Sequence, residues 1–341
     1  MKKIFLIVLI IVVSILVASY FSHFFPVQQK LPKEAPPLLV YTFDNLKQTR
    51  FEPTQITVGR KISETPGSLS QAFYYSVPKT PGSTVLEKVS GLLNIPKKPG
   101  IYPVIVMLRG FIPIEDYKIG MGSEVSAQVF AQNGFITLAP DFLGFGESDP
   151  GSKDGFENRF QTYTTALTLL SSLQTLNRGL EASYSGQIKA DLKKVGIWGH
   201  SNGGHIALSV LEISGLPYPT VLWAPVSKSF PYSILYYTDE SDDRGKNLRK
   251  ALSIFEQDYD TDSFDPTRYY QLIKAPIEIN QGTSDEEVPV WWSDELVKSL
   301  KKENADISYF TYPGASHNLL PNGWNLAVIN SINFYNKYFA K

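Results

Sequence analysis

The sequence predicts an α/β fold, with a mostly parallel central sheet and helices on both of its faces. After Pro103, short apolar runs typical of buried parallel strands alternate with segments of helical periodicity. Strands that alternate with helices along a chain form parallel sheets. The predicted strands are Val104–Leu108, Gly134–Ala139, Lys194–Trp198, Thr220–Ala224, Ile277–Gln281 and Ile307–Tyr312. The predicted helices are Ser123–Gln132, Thr162–Asn177, Gly204–Ile213, Trp291–Lys302 and Trp324–Tyr338.

The composition excludes several classes of protein and of reactive site. The chain has 341 residues, and 32 Lys and Arg residues nearly balance 33 Asp and Glu residues, so the net charge is −1. A strongly basic nucleic-acid-binding protein is therefore excluded. Hydrophobic residues make up 43% of the chain, which suits a large core and argues against extensive disorder. No cysteine is present, so disulfides and thiolate nucleophiles are excluded, and four histidines leave little basis for a catalytic zinc site.

The N-terminal segment has the composition of a membrane anchor. Lys2 and Lys3 precede an apolar run from Ile4 to Phe21, which is long enough for a spanning helix. We therefore expect residues 1–25 to form one transmembrane helix. Positive charges before the run favour a cytoplasmic N-terminus and place the rest of the chain outside the cytoplasm. The alternative is cleavage of this segment as a signal peptide, which would release a secreted protein.

Two further regions are distinguished by their composition. Residues 26–37 are rich in proline and are expected to form an extended linker before a single domain at 38–341. Residues 226–272 separate two predicted strands, and a connection of this length is usually a lid or cap, with a solvated helical excursion as the alternative. Before Pro103, a short β extension is predicted, with strands at Leu38–Phe43, Gln55–Val58, Gln71–Val77 and Val89–Ile95.

A serine lies in a tight turn between a predicted strand and a predicted helix. Gly199-His200-Ser201-Asn202-Gly203-Gly204 has the pattern G-x-S-x-G and follows a buried strand. In this nucleophile elbow, glycines Gly199 and Gly203 are needed because strand and helix approach too closely for a Cβ. The turn lifts the Ser201 hydroxyl above the sheet. This context indicates a nucleophilic serine, whereas the pattern alone occurs by chance.

A serine hydroxyl needs a base to remove its proton and a third group to orient that base. His23 lies beside the predicted anchor, His200 is fixed in the elbow, and His205 lies on the helix behind it. His317 remains, in a loop that follows the last predicted strand. It is therefore the predicted base.

The orienting acid is expected after another strand end, between the nucleophile and the base in the chain. Asp285 is the first acid after the strand Ile277–Gln281. Glu286 and Glu287 are rivals that lie further into the turn. We therefore predict that Asp285 orients His317.

Two backbone amides are candidates for an oxyanion hole. The Asn202 amide lies at the predicted helix N-terminus, where an oxyanion would form. The Phe111 amide follows an early strand, and Gly110 permits the tight backbone there. Arg109 could instead pair with an acid for structural reasons. The glycine-rich loop Asp141–Ser148 is interpreted as structural, since no phosphate-binding pattern is present.

These residues resemble the α/β-hydrolase superfamily and, within it, the catalytic domain of the prolyl oligopeptidase-like serine peptidases. The resemblance implies acyl-enzyme chemistry on peptides, with nucleophile, acid and base at Ser201, Asp285 and His317, and it covers about residues 88–340. It rests on Gly199-His200-Ser201-Asn202-Gly203-Gly204, Gly282-Thr283-Ser284-Asp285 with Val288-Pro289, Gly314-Ala315-Ser316-His317, and Asp141 to Ser148.

Two departures from that family bear on the substrate. Its full-length oligopeptidases carry a large N-terminal propeller, for which residues 38–90 are too short. Arg109-Gly110-Phe111 also replaces the usual aromatic-Gly-Gly or His-Gly-Gly oxyanion loop. The sequence therefore predicts a membrane-anchored serine hydrolase acting on a small peptide or ester. A carboxylesterase on the same scaffold and a non-catalytic binding module are the alternatives. Neither a metal nor an organic cofactor is required by this mechanism, and no nucleic-acid partner is expected.

Overall fold

A computed structural model describes residues 35–238 and 241–340. The predicted membrane anchor at residues 1–25 and most of the predicted linker at 26–37 lie outside the described residues. Within the described ranges, no helix combines the length and the apolar character needed to cross a membrane.

A nine-stranded sheet organises the domain, in the order β1-β2-β3-β5-β4-β6-β7-β8-β9. The first pairs, from β1 to β3 and on to β5, are antiparallel, and all pairs from β5 to β9 are parallel. The predicted mostly parallel sheet is confirmed. The strands are β1 Thr57–Glu64, β2 Ser68–Pro78, β3 Leu86–Pro96, β4 Gly100–Leu108, β5 Ile136–Pro140, β6 Ile188–His200, β7 Thr220–Trp223, β8 Ile277–Gly282 and β9 Ile307–Tyr312.

Helices cover both faces of this sheet. The helices are α1 Phe43–Gln48, α2 Glu124–Gln132, α3 Gly155–Ser172, α4 Leu176–Tyr184, α5 Asn202–Ser214, α6 Tyr232–Leu235, α7 Lys246–Asp258, α8 Val290–Lys302 and α9 Trp324–Phe339. Alternate side chains of β4 enter different cores: Val106 packs with residues of α3, α5 and α8, whereas Ile105 packs with residues of α2 and α9. This alternation is what a central strand with two buried faces requires.

The predicted strand at Leu38–Phe43 is wrong. Pro37–Tyr41 forms a 3₁₀ helix and α1 follows it directly. The Thr42 side chain accepts a hydrogen bond from the Asn45 amide and so caps α1. Buried Leu38 and Tyr41 are three residues apart, which is a helical spacing. The apolar and β-branched composition of the segment had favoured a strand.

The predicted helix Thr162–Asn177 is misplaced at both ends. Helix α3 begins at Gly155, because the Asp154 side chain accepts hydrogen bonds from the Phe156 and Glu157 amides. It ends at Ser172, and α4 begins at Leu176 after a short 3₁₀ turn. The other predicted helices of the α/β region agree with α2, α5, α8 and α9 to within the usual uncertainty of helix ends.

The segment 226–272 is helical and packs onto the main core. Its described residues include α6, α7 and 3₁₀ helices at Thr261–Phe264, Pro266–Arg268 and Tyr270–Leu272. Its aromatic side chains Phe230, Phe255 and Phe264 are buried against Phe156 and Phe160 of α3. This part of the segment is therefore integral to the core.

Candidate active site

Ser201 lies in the turn between β6 and α5, in a backbone conformation that is unusual for serine. Its φ is 55° and its ψ is −121°. A non-glycine residue with positive φ carries strain that the surrounding structure must support. Here the Ser201 amide donates a hydrogen bond to the Trp223 carbonyl oxygen, and the Ser201 carbonyl oxygen accepts from the Gly204 and Val226 amides. Backbone bonds to β7 and to the loop after it thus fix the strained turn.

The glycines on either side of Ser201 are required by close approach. A Cβ on Gly199 would lie 2.6 Å from the Gly203 carbonyl oxygen. A Cβ on Gly203 would overlap the Leu108 carbonyl oxygen at the end of β4. Both contacts are with backbone atoms, which cannot move aside without disturbing the sheet. The turn therefore has the geometry expected of a nucleophile elbow.

His317 and Asp285 are brought together by the loops after β9 and β8. His317 Nδ1 lies 2.9 Å from Asp285 Oδ2, and both side chains are buried. Because a carboxylate only accepts, Nδ1 carries the proton in this bond and Nε2 is the basic nitrogen of the neutral imidazole. The predicted acid and the predicted base are thus within hydrogen-bonding distance of each other.

The Asp285 carboxylate is itself held by several donors. Oδ1 accepts hydrogen bonds from the amides of Glu287, at 3.0 Å, and Val288, at 2.8 Å. Oδ2 accepts from Gln281 Nε2 at 2.9 Å in addition to His317. Three donors besides the imidazole therefore fix the direction of this carboxylate.

His200, excluded above as a base, contacts the predicted base directly. His200 Nε2 donates to the His317 carbonyl oxygen at 3.1 Å, and the two rings have centroids 4.7 Å apart. Burial lowers the pKa of His200 to about 4, so the ring is neutral near neutral pH. The residue beside Ser201 therefore anchors the loop that carries His317. The sequence offers no signal for this contact, because it joins distant segments.

His205 lies in the core, as its position in the sequence suggested. Its Nε2 is 2.8 Å from the Tyr163 hydroxyl, and burial lowers its pKa well below the usual value, with a further contribution from the nearby charge of Arg159. Its role is therefore in packing α5 against α3. His23 lies outside the described residues.

The loop Arg109–Phe111 lies beside Ser201. A Cβ on Gly110 would be 3.0 Å from Ser201 Cβ and 3.5 Å from Ser201 Oγ, so the backbone of this loop runs next to the hydroxyl. Asn202, the other predicted amide donor, is the first residue of α5. The Phe111 side chain is 79% exposed. Both predicted oxyanion donors thus belong to segments that meet at Ser201.

Arg109 holds that loop through hydrogen bonds to carbonyl oxygens, and no ion pair with an acid is among its contacts with the described residues. Its guanidinium donates to the carbonyl oxygens of Gly110 and Asp141, each at 2.9 Å. The ring of Phe145 covers it at 4.2 Å and that of Tyr117 at 4.6 Å, distances at which a cation is attracted to an aromatic face. These contacts support a structural role for Arg109, with carbonyl oxygens and rings in place of the acid that the sequence suggested.

Asp141 is the buried centre of the glycine-rich loop that follows β5. Its carboxylate accepts hydrogen bonds from the Ser90 hydroxyl, the Tyr117 hydroxyl and the Gly120 amide. Burial raises the pKa of Asp141, and these donors oppose the rise. This carboxylate ties β3, β5 and the segment before α2 together, so its contacts are structural.

Glu287 approaches His317 from the opposite side to Asp285. Its Oε2 lies 3.6 Å from His317 Nε2, and its side chain is 66% exposed. A carboxylate there attracts the imidazole once the ring takes a proton. The sequence suggested Glu287 only as an alternative to Asp285, so this contact was not predicted. Glu286, the other alternative, is exposed in the same turn.

Comparison with known proteins assigns the family. The family model described as the prolyl oligopeptidase family matches residues 123–341. The chain belongs to the prolyl oligopeptidase family. Its membership, and relatives named as peptidases and as an esterase-type enzyme, make it a serine hydrolase, either a peptidase or an esterase.

This member of the prolyl oligopeptidase family is similar in sequence to two curated relatives and in fold to one solved structure. An uncharacterised peptidase of Bacillus subtilis, YtmA, is 25% identical over 69% of this chain and 83% of its own length. A protein named putative carboxymethylenebutenolidase from Escherichia coli K12 is 23% identical over 80% of this chain and 86% of its own. The acetyl xylan esterase of Paenibacillus sp. R4 is similar in fold, with a TM-score of 0.57 at 16% identity over 90% of this chain and 96% of its own.

Proposed function

We propose that the chain is a serine peptidase that cleaves small peptides through an acyl-enzyme. In this mechanism Ser201 Oγ attacks the scissile carbonyl while His317 Nε2 takes its proton, and Asp285 keeps the imidazole oriented. The amides of Phe111 and Asn202 donate to the resulting oxyanion. His317 then gives the proton to the leaving amine. In the second half of the reaction, His317 takes a proton from water, the water oxygen attacks the acyl carbonyl, and His317 returns the proton to Ser201 Oγ as the acid leaves.

The observation that carries this proposal is the clustering of three distant segments. The elbow of Ser201, the Asp285–His317 pair and the loop at Gly110 meet at the carboxyl ends of the parallel strands. Ligands bind at this edge in open α/β sheets. Several independent hydrogen bonds hold the pair, which supports His317 as the proposed general base.

Ester hydrolysis is the second candidate. The relative named for a butenolidase covers most of this chain, and strands β1–β3 of the N-terminal region are part of the central sheet itself. Residues 38–96 therefore add no separate domain over the site, and nothing in their packing selects peptides above small esters.

The two candidates are separated by turnover of matched substrates. We would measure kcat/KM for residues 27–341 on aminoacyl esters and on the corresponding aminoacyl and dipeptidyl anilides, with Ser201→Ala as the blank. Anilide turnover comparable to ester turnover supports the peptidase. Ester turnover alone makes the chain an esterase. No turnover above the blank contradicts both and favours a binding module.

We further propose that residues 1–25 anchor the enzyme in a membrane with the catalytic domain outside the cytoplasm. The charge distribution around the run from Ile4 to Phe21 supports this topology. The full chain should sediment with membranes and resist extraction by high salt, whereas residues 27–341 should stay in the supernatant with the same kcat/KM. If expression of the full chain yields a shortened, secreted protein, residues 1–25 act as a cleaved signal peptide and not as an anchor.

A further inference from the structure

A cavity lies next to the proposed oxyanion donors. Its volume is about 180 Å³. Phe111 and Asn202 line it, and Asn202 directly follows Ser201. The acyl part of a substrate whose carbonyl lies at Ser201 would therefore need only a short chain to reach this cavity.

Arg159 of α3 supplies the charge in this cavity. Its Nη1 lies 3.4 Å from Asn202 Oδ1, a long hydrogen bond. Its Nε and Nη2 have almost no accessible surface, and the guanidinium also interacts with the Tyr163 hydroxyl. A half-buried cation beside a cavity favours a ligand of opposite charge there.

The other lining residues leave that charge uncompensated. Among the described residues that line the cavity, the charged side chains are Arg159 and Arg109, and neither Asp nor Glu occurs. Arg109 already donates to two carbonyl oxygens. The cavity lining therefore carries two cationic side chains and no carboxylate, a composition that suits an anionic group.

Apolar side chains form part of the cavity wall, beside the polar Asn158, Gln161 and Thr162. Phe142, Phe145 and Ile206 line the cavity alongside the exposed ring of Phe111. Such walls suit the methylene groups of a short aliphatic chain. At about 30 Å³ for a water-sized group, the cavity has room for about six non-hydrogen atoms. A chain of three methylenes that ends in a carboxylate has this size.

We propose that this cavity binds a carboxylate at the end of the substrate's acyl chain, with Arg159 as the residue that recognises it. The substrate class is then the monoesters or monoamides of short dicarboxylic acids, including peptides with an acidic side chain at the cleaved bond. The position of the acyl chain rests on the proposed function, whereas carboxylate binding at Arg159 does not.

Binding is tested without turnover. We would titrate Ser201→Ala with glutarate and with glutaramide, its uncharged analogue, by calorimetry. Glutarate should bind with 1:1 stoichiometry and glutaramide at least about tenfold more weakly. Adding Arg159→Gln should abolish the preference, whereas adding Arg178→Gln, which changes an exposed arginine, should leave it unchanged. Equal binding of both compounds, or no effect of Arg159→Gln, overturns the proposal.

Specificity is tested on a pair of 4-nitrophenyl esters. The hemiester of glutaric acid carries the free carboxylate, and its methyl ester does not. Arg159→Gln should lower kcat/KM for the hemiester by about 10- to 100-fold, chiefly through KM, and change that for the methyl ester by less than about twofold. Arg159→Lys, which keeps the charge without the planar fork, should recover part of the loss. An equal loss on both esters indicates a structural role and overturns the proposal.

The two tests separate this proposal from the proposed function. Glutarate binding that depends on Arg159, without turnover of either ester, supports the cavity and contradicts the hydrolase assignment for these esters. Turnover of the methyl ester with no gain for the hemiester supports the hydrolase and contradicts the cavity proposal. Melting curves show whether an Arg159 variant is destabilised. If Arg159→Gln is, the preference for the hemiester over the methyl ester is compared in Arg159→Lys.

Discussion

Ser201 has a positive φ because the chain must reverse between β6 and α5 within a single residue. Backbone hydrogen bonds to β7 and the next loop hold that conformation, and the neighbouring glycines leave no room for a side chain. The backbone of the turn that carries the Ser201 hydroxyl is therefore held in one conformation. Preorganisation of this kind lowers the cost of bringing reacting atoms together.

Asp285→Asn tests whether the acid orients His317. The amide nitrogen cannot accept from Nδ1, so the imidazole loses the tautomer that leaves Nε2 basic. We expect kcat to fall by about 10³- to 10⁴-fold with little change in KM. Glu286→Gln, in the same exposed turn, is the matched control and should retain activity. A fall of less than about tenfold for Asp285→Asn would argue that another group orients the base.

Gly203→Ala should disrupt the elbow, because the added Cβ overlaps the Leu108 carbonyl oxygen. We expect a lower urea midpoint and loss of activity. Gly155→Ala is the control, since a Cβ there meets nothing within 4 Å at the start of α3. That change should leave stability the same or raise it by about 0.5–1 kcal/mol. A Gly203→Ala protein as stable as Gly155→Ala would contradict the close approach.

Much of the site could be predicted from the sequence at this scale, because its parts follow strand ends and carry residue types that the chemistry restricts. Ser201, Asp285 and His317 were selected in this way. The bond between His200 and the His317 backbone could not be predicted, since it joins segments far apart in the chain. The approach of Glu287 to His317 depends on loop conformation and was missed for the same reason.

At the scale of elements, the segment 226–272 is attached to helix α3 through aromatic contacts. Phe255 of α7 packs against Phe156 and Phe160 of α3 and against Phe264. Aromatic pairs in such a cluster contribute more than their buried area alone. The segment is thereby fixed on α3, the helix that also carries Arg159.

Phe255→Ala tests this attachment. Removal of a fully buried phenylalanine should lower the free energy of unfolding by about 3–5 kcal/mol. Ile254→Ala changes the adjacent side chain, which is 56% exposed, and should cost less than about 1 kcal/mol. Both values come from urea denaturation followed by fluorescence. Similar small losses for the two variants would indicate a solvated excursion that is not part of the core.

Element prediction succeeded where one physical signal dominated. Continuous apolar runs identified β4, the end of β6 and β7, because strands buried on both faces need them. It failed at Leu38–Phe43, where capping by Thr42 outweighs β propensity, and at the start of α3, where Asp154 supplies the cap. Caps depend on local hydrogen bonds that hydrophobic periodicity does not report.

For the molecule as a whole, one buried acid should shape the dependence of stability on pH. Glu278 on β8 is 2% exposed, and its carboxyl accepts hydrogen bonds from Asn280 and Ser331. Burial raises its pKa from the usual 4.5 to about 7. The folded protein therefore binds this proton more tightly than the unfolded chain, so stability is lost as pH rises from 4.5 to 7.

Glu278→Gln should remove this dependence, because glutamine resembles the neutral acid and can accept the same hydrogen bonds. The variant should gain about 3 kcal/mol relative to the unaltered protein between pH 4.5 and 7.5. Urea denaturation of both proteins at several pH values measures the difference. A constant difference across that range would mean that Glu278 has an ordinary pKa in the folded protein.

The central claim is that Ser201 is the nucleophile activated by His317, and the most direct test is the intact mass of residues 27–341 after treatment with a fluorophosphonate. We predict one adduct, located on Ser201 by peptide mapping, that is absent in Ser201→Ala and forms far more slowly in His317→Ala. Labelling that persists in Ser201→Ala, or an unaltered protein that does not react, would contradict the account.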